Sequence, residues 1–282
     1  MTMRRSFTPP SFTTLMLILG LLFLYLPMVV LVVYSFNSSR LVTVWAGFSG
    51  RWYLELLRDR QILAAVWTSL RIAFFSATMA VCLGTLAAFV MTRFGRFRGK
   101  TALSSMITAP LVMPEVITGL SLLLLFVQMA QIVGWPADRG MATIWIAHTT
   151  FCSAYVAVVV SSRLREVDRS IEEAAMDLGA PPVKTFFQIT LPVIAPALAA
   201  GWLLAFTLSL DDLVIASFVS GPGATTLPMV VFSSVRMGVS PKINALATLI
   251  ILAVSLATFL AWYFMRRSEA RRLAALRQQE TP

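Results

Sequence analysis

The chain has 282 residues, of which 58% are hydrophobic and only 13% are charged, and its mean hydropathy is +0.80. Soluble globular domains carry about 25% charged residues, so this composition excludes an ordinary soluble protein and indicates a membrane protein. The formal net charge of +10 is explained by basic loops beside anionic lipid, and we expect no nucleic acid partner.

Six apolar segments each exceed the roughly 20 residues that a helix needs to cross a bilayer. They run over residues 15–36, 72–92, 103–129, 141–162, 186–210 and 243–265. A backbone in hydrocarbon must satisfy its own hydrogen bonds, and no alternating barrel pattern is visible. The sequence therefore predicts an all-α, polytopic membrane protein with six transmembrane helices in a single domain over residues 1–282. We interpret the first segment as an uncleaved span, because it is too long for a secretory signal.

Basic residues are distributed unevenly between the loops. Fifteen of the 23 Lys and Arg residues lie in the N-terminus, near 93–100, in the loop 163–185 and in the C-terminal tail. By the positive-inside rule these regions face the cytoplasm. Both termini and the loop 163–185 are thus expected to be cytoplasmic.

The largest outer loop, residues 37–71, contains three Trp residues and a Tyr typical of a membrane interface, and a short surface helix is expected around 51–60. Two interpretations stay open. The loop is either an anchor at the interface or part of the landing surface for an external solute-binding protein.

Three features of the sequence could suggest an enzyme or a metal site, and each has another explanation. The run from Gly95 to Thr101 resembles a phosphate-binding loop but has three residues between its glycines where four are required. His148 is the sole histidine and lies among apolar residues, so we interpret it as a hydrogen-bonded core histidine rather than part of a triad. Neither cysteine has the spacing of a metal ligand, and no metal site is expected.

Three acidic residues fall in or beside the apolar segments. Glu115 lies within the third segment near Pro110 and Pro114, and Asp211 and Asp212 follow the fifth. A carboxylate inside a membrane costs about 2.5 to 3.5 kcal/mol unless it is solvated or paired, so its presence requires an explanation. We predict that the three acids line a path for a cation, assisted by the aromatic rings of Trp202 or Phe206. The alternative is that Asp211 and Asp212 simply lie at the outer interface.

Residues 170–192 predict a compact helical hairpin between two spans. Ser170 and Glu173 fit a capping box at the start of a short helix, and Gly179 can take the left-handed conformation that ends it. Pro181 or Pro182 then suits the first turn of a second helix. Such a hairpin, placed on the cytoplasmic side, is suited to receive a push from a soluble partner.

The same stretch resembles the signature loop of the membrane-spanning permeases of bacterial ABC importers. That loop has the sequence Glu-Ala-Ala, three residues, Gly, nine residues, Ile, one residue, Leu-Pro. Every position is filled here at the same spacing, by Glu173, Ala174, Ala175, Gly179, Ile189, Leu191 and Pro192. The wider chain is similar to the polyamine branch of that family, through Ala-Pro-Leu-Val-Met-Pro at 109–114, Ser-Leu-Asp-Asp at 209–212, Ser-Gly-Pro-Gly at 220–223 and Ile-Asn-Ala at 243–245.

This resemblance implies the fold of ABC type I importer permeases (MetI-like), a bacterial inner membrane, and putrescine or a related polyamine as the substrate. It implies three kinds of protein partner: a dimer of ATPase subunits, a second permease paralogue in a heterodimer, and an external or periplasmic solute-binding protein. ATP and Mg would be bound by the ATPase, so this chain would bind no cofactor directly and would not be an enzyme. The signature residues, together with Ala180, would couple the permease to the ATPase.

The rival hypothesis is a secondary carrier or channel for small cations, driven by an ion gradient. Inverted repeats would favour it. No internal repeat is evident in the sequence, and a partner-binding hairpin has no purpose in that scheme.

Overall fold

The computed structural model describes residues 12–41, 44–238 and 240–279, and within them helices joined by turns and loops account for the architecture. The helices are α1 (Phe12–Ser35), α2 (Arg51–Arg58), α3 (Arg60–Arg93), α4 (Lys100–Val112), α5 (Glu115–Val133), α6 (Met141–Glu166), α7 (Ser170–Asp177), α8 (Pro182–Thr185), α9 (Leu191–Asp211), α10 (Val214–Val219), α11 (Leu227–Met237) and α12 (Pro241–Gln279). One π-helical turn, Phe186–Thr190, connects α8 to α9. The prediction of an all-α protein is confirmed.

Six helical stretches are long and apolar enough to cross a membrane. They are Phe12–Ser35, Arg60–Arg93, Glu115–Val133, Met141–Glu166, Pro182–Asp211 and Pro241–Leu260. The prediction of six membrane-spanning helices is confirmed, although several extend beyond the predicted bounds. The second reaches back to Arg60, and the fourth continues through the first residues of the predicted 163–185 loop.

The third predicted span, residues 103–129, is wrong as a single helix. The structure breaks it at Pro114, so that α4 ends at Val112 and α5 begins at Glu115. Proline disfavours helical backbone in the residue before it, and Met113 is accordingly extended, with φ −75° and ψ 138°. Glu115 therefore lies at the start of a helix and not in the middle of one.

Backbone packing divides the chain into two compact units, one formed by residues up to Arg60 and from Ser234 onward, the other by Gln61–Ser233. In the first unit, α12 packs along both α1 and α2. Its Lys242 ammonium lies 3.4 Å from the Asp59 carboxylate, and the Trp52 indole donates to the Asn37 carbonyl at 2.6 Å. The short surface helix predicted near 51–60 is present as α2. The single-domain organisation stays a prediction.

In the second unit α6 packs against both α3 and α9, and Val156 of α6 lies at the closest approach. Gly84 of α3 and Gly201 of α9 both face this valine. A glycine allows two helix backbones to approach closely because it has no side chain. Small residues recur four apart in both helices, at Ala80, Gly84 and Ala88 of α3 and at Ala197, Gly201 and Ala205 of α9, and the two glycines of these series serve internal packing.

The short helix α10 packs against α5 and α6. Gly119 of α5 faces Ile215 and Phe218 of α10, and the Thr143 hydroxyl of α6 donates to the Val219 carbonyl at 2.7 Å. A six-residue helix is not stable by itself, so α10 depends on these neighbours for its position.

We expect Gly84→Ala to destabilise the protein by about 1 to 3 kcal/mol, because overpacking a close helix contact forces the backbone to shift. The added Cβ would lie 2.8 Å from both the Ser153 carbonyl oxygen and the Val156 Cβ atom. Thermal unfolding of the detergent-purified protein would measure the effect. Gly20→Ala in α1 is the matched control, because no atom lies within 4 Å of its added Cβ. Equal unfolding midpoints for the two variants would contradict the assigned helix contact.

Candidate functional site

The predicted hairpin is present, but its first helix, α7, does not begin with the side-chain cap that was expected. The Asp168 carboxylate accepts from the Ser170 backbone N–H at 3.0 Å, and this hydrogen bond lowers the pKa of Asp168. Ser170 is the first residue of α7, while the Glu173 N–H donates to the Arg169 carbonyl. The predicted Ser170–Glu173 capping box is therefore wrong. The Asp168 carboxylate accepts from the free Ser170 N–H at this end, and α7 already includes Ser170 as its first residue.

The turn of the hairpin forms at Gly179, as the sequence predicted. Gly179 has φ +88°, its N–H donates to the Met176 carbonyl, and the Ala180 N–H donates to the Ala175 carbonyl. These two bonds form a Schellman motif, which satisfies carbonyl groups at the end of α7. Pro182 then occupies the first turn of α8.

The tip of the hairpin is apolar and exposed. Leu178 is 91% exposed and Val183 is 68% exposed. Of the signature residues, Glu173, Ala174 and Pro192 are exposed, Ala175 is buried, and Ala180, Ile189 and Leu191 are partly buried. The exposure of Leu178 could not be predicted from the sequence, because nothing in the local pattern indicates which side chains near the turn are covered.

A buried ion pair fastens the hairpin to the bundle. The Glu172 carboxylate lies 2.9 Å from Nε of Arg93 at the end of α3, and it accepts from the Thr190 hydroxyl at 2.9 Å. Arg93 also donates to the Val167 carbonyl at 3.3 Å. The side chains of Arg93 and Glu172 are only 9% and 12% exposed. We call Arg93, Glu172 and Thr190 the clasp.

Sequence reasoning missed the clasp. Arg93 was counted only among the basic residues of an inner loop, and Glu172 precedes the signature without belonging to it. No local pattern pairs residues that lie 79 positions apart. The sole indication in the sequence is that an Arg ends one span while two consecutive acids begin the hairpin.

The irregular turn at the base of α9 contributes Thr190 to the clasp. Pro192 has no N–H to donate to the carbonyl four residues before it, so the regular helical ladder is interrupted at this point. The π-helix Phe186–Thr190 precedes this interruption directly, and Pro196 lies inside α9. Within the π-helix, the ring of Phe186 contacts Phe89 of α3 edge to face, with centroids 4.9 Å apart. The hairpin, α3 and α9 therefore meet at one point.

The three predicted substrate-path acids have different environments. Glu115 is exposed at the first residue of α5, and Asp211 is exposed at the last residue of α9. Asp212 is buried, and its carboxylate accepts from the backbone N–H groups of Ile215 and Ala216 at 3.2 and 2.7 Å. Asp212 is thus not a simple surface residue, and its direct contacts are with the protein.

The same carboxylate reaches the sole histidine. Nε2 of His148 lies 3.1 Å from Oδ2 of Asp212, and Nδ1 lies 2.7 Å from the Ser209 hydroxyl. His148 is completely buried. The prediction of a hydrogen-bonded core histidine is confirmed, but its two partners, 61 and 64 residues away, could not be identified from the sequence.

We expect Glu172→Gln to destabilise the protein by about 1 to 3 kcal/mol, since it leaves the nearly buried guanidinium of Arg93 without a balancing charge. Thermal unfolding and limited proteolysis within the hairpin would measure the change. Glu166→Gln is the matched control, because Glu166 and its partner Arg163 are 63% and 43% exposed. An exposed pair of this kind contributes only about 0 to 1 kcal/mol. A hairpin no more sensitive to protease in Glu172→Gln than in the control would refute the fastening role.

Comparison with solved structures places the fold among importer permeases. A bacterial ABC transporter involved in the import of the acidic polysaccharide alginate matches with a TM-score of 0.69 at 17% identity, over 90% of this chain and 92% of that one. The MetNI methionine ABC transporter matches with a TM-score of 0.59 at 18% identity, over 78% and 99%. The expected type I importer permease fold is confirmed.

Sequence relatives are much closer. The chain is 72% identical over 257 residues to the putrescine transport system permease protein PotI of Escherichia coli K12, covering 91% of this chain and 92% of that protein. It is 42% identical over 249 residues to the spermidine/putrescine transport system permease protein PotC of the same organism, covering 88% and 91%. A family model matches residues 80–273, which include the hairpin, the clasp and all three acids. The chain therefore belongs to the family of binding-protein-dependent transport system inner membrane components.

Proposed function

We propose that this chain is the membrane-spanning permease subunit of an ATP-driven importer of putrescine or a closely related polyamine. The observation that carries the proposal is the clasped hairpin, with its apolar tip exposed between two long apolar helices. Exposed apolar side chains at the turn of a helical hairpin, here Leu178 and Val183, are typical of a segment that docks in an apolar groove of another protein. A carrier driven by an ion gradient has no use for such an element.

The partner that this tip fits is a soluble ATPase subunit on the cytoplasmic side. Ala180 to Val183 enter its groove, Gly179 makes the turn that presents them, and Glu173 is an exposed acid of the first helix. Two such ATPase subunits bind ATP and Mg²⁺, and their closure moves the hairpin. Because the clasp joins the hairpin to α3 and to the base of α9, the movement reaches both helices. The two membrane subunits then alternate between inward and outward opening.

The second membrane subunit is a permease paralogue, and a periplasmic binding protein delivers the substrate. The family description, a binding-protein-dependent transport system, supports the latter. A matching structure is that of a bacterial alginate ABC transporter in complex with a pentasaccharide-bound periplasmic protein. The excess of basic residues in the hairpin loop and both termini supports a cytoplasmic position for all three.

The polyamine substrate is supported by the 72% identity to PotI and by two exposed carboxylates at helix ends. Glu115 and Asp211 would attract protonated amines, and Asp212 would act from its buried position. An aromatic stack lies on the same helix as Asp211. The rings of Trp202 and Phe206 are 5.2 Å apart and nearly parallel, and the Trp202 indole donates to the Thr78 hydroxyl at 3.1 Å. Rings held in this way can interact favourably with a cation.

We expect Gly179→Asp to abolish uptake and to weaken retention of the ATPase during purification, because a residue with a Cβ is strained at φ +88°. Labelled putrescine uptake into proteoliposomes that contain the complete transporter would test this. Gly134→Asp is the matched control. Gly134 also ends a helix with positive φ, at +74°, but lies after α5. Normal uptake by Gly179→Asp, or equal loss of the ATPase in both variants, would overturn the docking assignment.

We expect Glu115→Gln and Asp211→Asn each to raise the KM for putrescine by roughly threefold or more, since each removes one attractive charge worth up to about 1 kcal/mol in a partly solvated setting. The amount of assembled transporter should not change. Initial uptake rates over a range of putrescine concentrations would give the KM. Unchanged concentration dependence in both variants would remove these acids from the path.

A further inference from the structure

We propose that His148 is a positioning residue for transport: through Asp212 it fixes the break between α9 and α10, and so holds the exposed carboxylate of Asp211 in one direction. This inference rests on the proposed function, in which Asp211 attracts the protonated substrate. His148 itself does not touch the substrate, because it is completely buried.

The imidazole connects two helices of the second unit. His148 belongs to α6, seven residues after its first residue, and its two ring nitrogens contact Ser209 near the end of α9 and Asp212 just beyond it. Phe151 covers the ring edge to face, with centroids 5.6 Å apart. At about 1.5 Å per residue, the contact lies roughly 10 Å from the N-terminal end of α6. The end of α9 is therefore tied to the interior of the bundle.

The Asp212 carboxylate connects the same point to α10. Its Oδ1 accepts from the Ile215 N–H, and its Oδ2 accepts from the Ala216 N–H as well as contacting the imidazole. These N–H groups belong to the first turn of α10 and would otherwise lack a partner within the helix. The carboxylate thus stabilises α10, and His148 is the only side chain among its three partners.

The position of Asp211 depends on this network. Asp211 is the last residue of α9, and the backbone at Asp212 is extended, with φ −64° and ψ 123°. A single peptide unit separates the exposed carboxylate from the buried one. With Asp212 fixed against His148 and α10, the backbone at the adjacent Asp211 is held in place as well, while the Asp211 side chain itself is exposed. If the imidazole contact is lost, the backbone between α9 and α10 can rotate, and the Asp211 carboxylate can then adopt several orientations.

A histidine that only filled space would be an unfavourable choice at this position, because burying a polar pair costs more free energy than burying an apolar pair. Burying a charged or strongly polar pair costs several kcal/mol, and an apolar pair of similar volume is often equally stable or more stable. The pair here lies next to a residue whose direction matters for attracting a cation. Fixing a binding group in advance increases affinity because less freedom is lost when the ligand binds.

A double-mutant cycle on the complete transporter in proteoliposomes tests the inference. His148→Leu should raise the KM for putrescine by about as much as Asp211→Asn does, roughly threefold, while the maximal rate stays within about twofold, as expected for lost pre-organisation of substrate binding. His148→Gln retains an amide N–H donor and should stay within about 1.5-fold of wild type. In an Asp211→Asn background, His148→Leu should change the KM by less than about twofold, because the positioned charge is already absent.

Thr149→Val is the matched control on the same helix. Thr149 is buried beside His148, and its hydroxyl has no hydrogen-bond partner within residues 12–41, 44–238 and 240–279. Its replacement should leave the KM unchanged. If His148→Leu fails to assemble, Ser209→Ala takes its place in the cycle, because it removes the other hydrogen-bond partner of the imidazole, and its effect on the KM should show the same dependence on Asp211.

Two results would overturn the inference. One is a fall in the maximal rate with an unchanged KM, and the other is an equal rise in KM with and without Asp211. Both leave the proposed function intact, provided that the wild-type complex takes up putrescine. Absence of ATP-dependent putrescine uptake by the wild-type complex would instead refute the proposed function itself.

Discussion

A polypeptide in hydrocarbon must satisfy its own polar groups, and the features of this chain that bear on function occur where a helix cannot do so. The helical ladder is interrupted at Pro114, before Pro192 and after Asp211. A carboxylate shielded from solvent lies beside the second and third of these places, and at the third it accepts from otherwise unpaired backbone N–H groups. Glu172 accepts from Thr190 in the π-helix, and Asp212 accepts from the first N–H groups of α10. Each carboxylate also has a basic side chain beside it.

The clasp and the His148 network therefore have the same physical construction at two positions in one unit. Arg93 pairs with Glu172 near the end of α6, and His148 pairs with Asp212 near its beginning. Between them, α6 packs tightly on α3 and α9 through Val156. Such close packing transmits displacement rather than absorbing it, because protein interiors have low compressibility. A push at the hairpin can thus reach the break beside Asp211 through a single rigid helix.

The two networks also give different roles to acidic residues that are neighbours in the sequence. The acids at positions 172 and 212 are held by the protein, whereas those at 115, 173 and 211 are exposed. Held carboxylates fix geometry, and exposed carboxylates remain available to a partner or a substrate. Consecutive side chains point in different directions. In each of the pairs Glu172–Glu173 and Asp211–Asp212, one carboxylate is therefore held by the protein and the other is exposed.

The sequence by itself determined the class of fold, the number of spans, the hairpin and its Gly179 turn. These follow from local properties, namely apolar length and the backbone preferences of Gly and Pro. Only the tertiary structure decided which acid of each pair is held by the protein, that α5 begins at Glu115, and that the Asp168 carboxylate accepts from the Ser170 N–H at the start of α7. Contacts such as Arg93 with Glu172 and His148 with Asp212 join residues more than 60 positions apart. No periodicity encodes them, because they depend on how whole helices pack.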